Sequence, residues 1–274
     1  MKKVSAKISG KKGKPSKEDF LSLIESQGAS KEIVKAFSEV KPDIFFDRLF
    51  KDKFYGEESF PIMYGQKSDN FVLLARMISL LGPQKGQRIL EIGTGTGFST
   101  AVLSKLCREV VTIDINEKLA ASAKERLYEN DFGNIRFFAG DGTTIEDDFG
   151  SIDGVLIHAA CRKRPLAVMK NLAFGGRVVY PMGPAHFQQI IVMTNMPDPD
   201  TGGNFKIGYF DEGVFTLVKG PYGYDNVVLP KEFGEEVIDA EEKEPPKSLD
   251  SNDFLFVPAK SEDDDEEGES GREE

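Results

Sequence analysis

Cysteine is scarce in this chain of 274 residues: Cys107 and Cys161 stand far apart, with no companions at metal-ligand spacing. That excludes a disulfide framework, gives no reason to expect a metal site, and fits a reducing compartment. No apolar run approaches the roughly 20 residues that a membrane-spanning helix needs, so no membrane partner is expected. The segment from Met1 to Lys17 is Lys-rich but lacks the apolar stretch of a secretory signal, and a cytoplasmic protein is expected. A positive charge excess is also missing. The net charge is −11, yet from Lys231 onward there are 18 acidic and 5 basic residues, so everything before that point carries about +2. A nearly neutral body offers no electrostatic case for nucleic acid as the main partner. No internal repeat is visible.

Three regions follow from composition. Residues 1–16 are basic, with Gly, Ser and Pro, and read as a flexible arm. Residues 17–230 hold the apolar periodicity of one folded domain. Residues 231–274 are too charged to bury a core and read as a disordered acidic tail. Within that tail Phe254-Leu255-Phe256-Val257-Pro258 is an apolar island, either chance or a segment that docks on this domain or on an unknown partner.

Ser16-Lys17-Glu18-Asp19 has capping-box spacing ahead of Phe20, Leu23 and Ile24, and Ser30 stands before Ile33, Val34 and Phe37; both patterns start short helices. A third helix is expected over 71–81, ended by Gly82-Pro83. From Arg88 the pattern changes to β-rich runs at 88–92, 110–114, 135–139, 154–158 and 177–181, with helical periodicity over 99–107 and 117–130. Such alternation implies an α/β fold: a doubly wound, mostly parallel, Rossmann-like sheet covered on both faces. Residues 188–195 and 205–210 flank a Pro/Asp/Gly-rich turn and read as an antiparallel C-terminal hairpin, with 215–218 as one further strand.

The stretch Ile89-Leu90-Glu91-Ile92-Gly93-Thr94-Gly95-Thr96-Gly97-Phe98 sets alternate glycines between a strand and a helix. Residues without a Cβ let the backbone turn sharply and approach a ligand closely. The spacing is not the G-x-G-x-x-G of pyrophosphate binders. Asp114 ends the second strand, where a carboxylate accepts from both hydroxyls of a ribose. Asp141, in Gly140-Asp141-Gly142, follows the third strand, where it accepts from an adenine amino group. Glycines after strands are otherwise tight turns, and such aspartates are caps or turn formers. Taken together in sheet order, and without a basic phosphate clamp, they point to S-adenosylmethionine, with Glu91, Gly93, Gly95, Gly97, Asp114, Asp141 and Gly142 as its candidate contacts.

Over roughly residues 40–183 the sequence resembles the protein-L-isoaspartate O-methyltransferases. The loop from Ile89 to Phe98 is similar to that family's Leu-Glu-Ile-Gly-Thr-Gly-Ser-Gly-Tyr, and Gly140-Asp141-Gly142 matches its Gly-Asp-Gly. Asp153 to Pro165 and Gly175 to Gly183 follow two further motifs of the family. Phe60-Pro61-Ile62-Met63-Tyr64-Gly65-Gln66 looks like its Leu-Pro-Ile-Gly-x-Gly-Gln. The resemblance implies an S-adenosylmethionine-dependent methyltransferase acting on a protein or peptide carboxylate, L-isoaspartyl residues in particular, in protein repair. It also implies that Gln66 shapes the acceptor site.

One departure falls at the acceptor. The family continues Gly-Gln-Thr-Ile-Ser, and its serine orients the methyl acceptor. Here Gly65-Gln66-Lys67-Ser68-Asp69-Asn70 puts Asp69 in the serine position, with Ser68 reaching it only if the turn slips by one residue. An ionised Asp69 would repel a carboxylate acceptor; it reads alternatively as the N-cap of the following helix. His158 replaces a family threonine at the end of the fourth strand. It is a structural histidine or, with Asp69, a general base for a neutral amine or hydroxyl acceptor. A non-catalytic S-adenosylmethionine-binding module is the remaining reading. Arg162-Lys163-Arg164 follow close by, as solvated surface or as an attraction for an acidic acceptor.

Overall fold

The computed structural model describes residues 14–144, 149–197 and 204–224. The acidic tail expected over 231–274, with its island at 254–258, lies outside the described residues, as does the expected basic arm except for residues 14–16.

Side-chain caps start the helices where the sequence places them. Ser16 and Asp19 accept from each other's backbone N–H and open α1 (Lys17–Ser26). Ser30 Oγ accepts from Ile33 N and opens α2 (Lys31–Glu39). The third helix, α3 (Phe71–Leu81), stops at Gly82, whose φ of 64° is left-handed. Its cap is Asn70, whose Oδ1 accepts from Val72 N and Leu73 N. Asp69, the alternative cap candidate, is one residue too early and turns elsewhere.

Three strands, β1 (Arg88–Ile92), β2 (Glu109–Asp114) and β3 (Ile135–Ala139), are linked by α4 (Phe98–Ser104) and α5 (Glu117–Glu129). β4 (Ile152–Ile157) and β5 (Leu172–Met182) continue the parallel set, and β6 (Gln188–Asn195) and β7 (Phe205–Gly213) add the antiparallel hairpin. The order is β3-β2-β1-β4-β5-β6-β7 in one seven-stranded sheet. Winding reverses between β1 and β4, which opens a crevice beyond their carboxyl ends, the usual ligand position in such sheets.

Register carries the core across the sheet. Val111, Leu90, Val155, Val178 and Met193 are successive partners on one face and share one buried cluster. Ile89, Val110, Leu156 and Val179 face the other way, into a cluster with residues of all five helices. Both faces are covered, as the strand–helix alternation implies, but the Leu90 side is covered by turns: Phe149, the 3-10 turn Leu166–Met169 and Val218. A Cβ on Gly154 would lie 2.9 Å from Leu81 Cδ1, so a glycine lets α3 seat this closely on β4.

Several expected elements differ. β4 starts at Ile152 rather than 154, and β7 runs on to Gly213. β5 begins at Leu172 rather than 177, because it runs through Gly175 and Gly176 with an irregular register against β4. The helix expected over 99–107 ends at Ser104. Residues 215–218 are not a strand: a single parallel bridge joins Leu217 to Ala160. Among the described residues no helix is long and apolar enough to cross a membrane.

Candidate active site

The crevice holds a cavity with two unlike walls. One is the loop between β1 and α4, where Gly93, Gly95 and Gly97 take φ of 100°, 54° and 91°. A Cβ on Gly95 would meet nothing within 4 Å, so this residue borders open space. Asp114 Oδ2 accepts from Gly95 N at 2.8 Å and its Oδ1 from Asn116 N at 2.8 Å, which fixes the carboxylate in the wall. Asp141 Oδ1 accepts from Thr143 N and Thr143 Oγ1, holding the turn after β3. Gly93, Gly95, Asp114, Asp141 and Gly142 all line the cavity. Thr216 to Lys219 border it as well, a contribution the sequence did not signal.

Two of the expected cofactor contacts do not reach it. Glu91 has no exposed surface and stands behind the wall, accepting from Thr100 Oγ1 and Thr112 Oγ1. Gly97 is absent from the lining; a Cβ there would press on Leu127 Cδ1 at 2.9 Å, so this glycine serves the packing of the loop on α5.

The other wall is the loop before α3. Ile62 N donates to Gln66 O and Ser68 N to Phe60 O, both at 2.9 Å, making a hairpin-like turn. Its tip is left-handed at Tyr64 and Gly65, with φ of 59° and 70°. Tyr64 has a side chain at that angle, and such backbone strain is held where surroundings over-determine it. Gln66, Lys67, Ser68 and Asp69 line the cavity. The Ser68 hydroxyl is buried and already accepts from Phe60 N at 3.0 Å, so it braces the turn.

His158 lies between the walls. Its Nε2 is 3.1 Å from Glu91 Oε1, and its Nδ1 is 2.6 Å from Asp69 Oδ2. The second contact is an ion pair by distance, but no acceptor lies in line with the Nδ1–H. Burial pushes the imidazole toward its neutral form; the negative charges of Asp69 and Glu91 outweigh it and raise the pKa to about 10. Two carboxylates beside it favour the cationic form of the ring. That weighs against its reading as a general base, since a base must be neutral to take a proton. It also answers the charge objection to Asp69, whose carboxylate has a cation beside it.

Among the described residues Ser99 Oγ is a buried side-chain polar atom with neither a hydrogen-bond partner nor an ion pair, and its residue lines this cavity. Buried polar atoms of native proteins are nearly always paired, so such an atom at a cavity marks where a ligand supplies the partner. Ser99, two residues beyond the last loop glycine, escaped the sequence reading because serine in a helix gives no signal of its own. Its hydroxyl, the open face of Gly95 and the fixed Asp114 carboxylate fit a cofactor with a polar amino-acid end and a ribose.

A family model for protein-L-isoaspartate(D-aspartate) O-methyltransferases matches residues 15–208.

The chain belongs to that family.

A protein-L-isoaspartate O-methyltransferase of Petrotoga mobilis is 35% identical over 73% of this chain and 93% of its own length. A solved protein-L-isoaspartate O-methyltransferase superposes with a TM-score of 0.65 at 24% identity, over 76% of this chain and 67% of that one. A structure described as a beta-aspartate methyltransferase of Plasmodium falciparum, in complex with S-adenosyl-L-homocysteine, gives a TM-score of 0.61 at 14% identity, over 75% of this chain and 99% of that one. The last two likenesses speak to the fold. This member of the methyltransferase family uses S-adenosylmethionine, and the glycine-loop wall is where its residues fit that cofactor.

Proposed function

We propose that this protein methylates the carboxylate of L-isoaspartyl residues in proteins and peptides. The supporting observation is a single cavity with a cofactor wall, built from Gly93, Gly95, Ser99, Asp114 and Asp141, facing an acceptor wall built from Gln66 and Asp69 with His158 between. Bound there, S-adenosylmethionine would supply an electrophilic methyl group to a carboxylate oxygen. Such an acceptor is ionised at neutral pH and needs no base. What the chain must supply is placement and exclusion of water. Asp114 would accept from the ribose hydroxyls and Asp141 from the adenine amino group, while Ser99 would meet the amino-acid end. Gln66 and the turn it belongs to would hold the peptide. The cationic His158 suits an anionic acceptor and is poorly suited to activating an amine or hydroxyl. A cytoplasmic site of action is in keeping with Cys107 and Cys161, both free and buried.

The test is incorporation of base-labile label from labelled S-adenosylmethionine into paired peptides that differ only in an aspartyl or isoaspartyl linkage. Label confined to the isoaspartyl peptide is expected. Equal labelling of both, or none in either, would remove the acceptor assignment.

A further inference from the structure

Asp69 stands where the family has its acceptor-orienting serine, yet an ionised carboxylate offers no hydrogen to an anionic acceptor. The donor has to come from elsewhere, and the cavity presents one. His158 Nδ1 is buried, carries a proton in the imidazolium and faces the Asp69 carboxylate, 2.6 Å away and poorly aligned with the N–H. On its far side Nε2 meets Glu91 Oε1 at 3.1 Å. The two carboxylates around this ring are not equivalent. Glu91 has no exposed surface and is also held by Thr100 and Thr112, whereas the Asp69 side chain is 32% exposed and stands at the end of the loop before α3.

We propose that His158 binds the acceptor carboxylate through Nδ1–H, and that Asp69 is a resident counter-ion displaced by that carboxylate. Glu91 is then the permanent counter-ion, which keeps the ring charged when Asp69 leaves. Asp69 has somewhere to go, since its partly exposed side chain turns toward water while Glu91 is walled in. The arrangement replaces a neutral hydroxyl donor by a charged one, and charge-assisted hydrogen bonds are the stronger kind. An empty site does not leave a bare buried cation, because Asp69 covers it. This inference rests on the carboxylate-acceptor reading above.

Two measurements test it together. The first is methylation kinetics of wild type, His158→Gln and Asp69→Asn on an isoaspartyl peptide, with S-adenosylhomocysteine affinity measured by calorimetry on each. His158→Gln should raise KM for the peptide roughly 10- to 100-fold, the range for losing a hydrogen bond to a charged group, and leave S-adenosylhomocysteine affinity unchanged. Asp69→Asn should lower KM, because a neutral amide competes poorly for the ring. The second uses the unaltered protein, so it stands even where a variant fails to fold. The chain has 2 histidines, His158 and His186, so nitrogen-15 spectra of histidine-labelled protein are simple to assign. With S-adenosylhomocysteine bound, saturating isoaspartyl peptide should move the His158 Nδ1 resonance, and the matched aspartyl peptide should not. An active wild type with no such shift, or with KM unchanged in a folded His158→Gln, overturns the role of His158 alone. A wild type that binds S-adenosylhomocysteine but never methylates the isoaspartyl peptide overturns the reading and this inference together.

Discussion

Gly95 combines a left-handed backbone with an empty side, and each property makes it hard to replace. A valine there would suffer the strain of φ 54° and push two methyl groups into the cavity. Gly95→Val should therefore abolish S-adenosylhomocysteine binding in calorimetric titration, and unchanged affinity would mean that this wall is not the cofactor's. Asp114→Ala should weaken binding by about 1–3 kcal/mol, since it leaves ribose hydroxyls and the Gly95 N–H without their acceptor. His158 makes a prediction about pH instead. Its pKa is raised in the folded protein from the ordinary 6.5 to about 10. Stability from its ion pairs is full below about pH 6.5 and is lost as the pH rises through about 10, where the folded ring gives up its proton. The melting-temperature gap between wild type and His158→Gln should accordingly be largest near pH 6 and close toward pH 10. A gap that does not change with pH would contradict the imidazolium.

At the scale of elements, the two walls are tied by the starts of two helices. Phe71 opens α3 and Phe98 opens α4, and their rings stack with centroids 4.4 Å apart at 9°. The first turn of α3 thus determines where Asp69 stands relative to the glycine loop. Asn70→Ala removes the oxygen that caps Val72 N and Leu73 N, and should lower stability in urea unfolding by about 0.5–2 kcal/mol. An undiminished midpoint would show that Asn70 is not the working cap. This helix also shows how far sequence reasoning reached. Its span was readable from apolar spacing and Gly82, and so were β1 and β3, because local pattern and burial agree there. The cap was not, since Asp69 and Asn70 are both good caps and only the turn of the preceding loop decides between them. Likewise β5 was expected only from 177, whereas the strand starts at Leu172 and passes Gly175 and Gly176 with a register shift against β4. The cavity residues on the glycine loop, Asp114 and Asp141 were legible because strand ends and glycines are local signals. Glu91 was misplaced because a charged residue beside a binding loop suggests contact. Its real partners, Thr100, Thr112 and His158, come from elsewhere in the chain.

For the whole molecule, the buried clusters are built from residues between Phe20 and Val218, with Tyr224 the last buried residue described. Truncation after Pro230 should leave the melting temperature and S-adenosylhomocysteine affinity unaltered, while shifting the net charge from −11 to about +2, read as lost retention on an anion-exchange column. A fall of more than about 4 °C, near what 1 kcal/mol produces in a domain of this size, would show that part of 231–274 packs against the body.

The contact between Asp69 and His158 also makes two positions far apart in the chain interdependent. An aspartate at 69 without the histidine would face an incoming anion with no cation beside it. A histidine at 158 without the aspartate would still have Glu91 Oε1 3.1 Å from its Nε2, but would lose the charge that covers its other nitrogen.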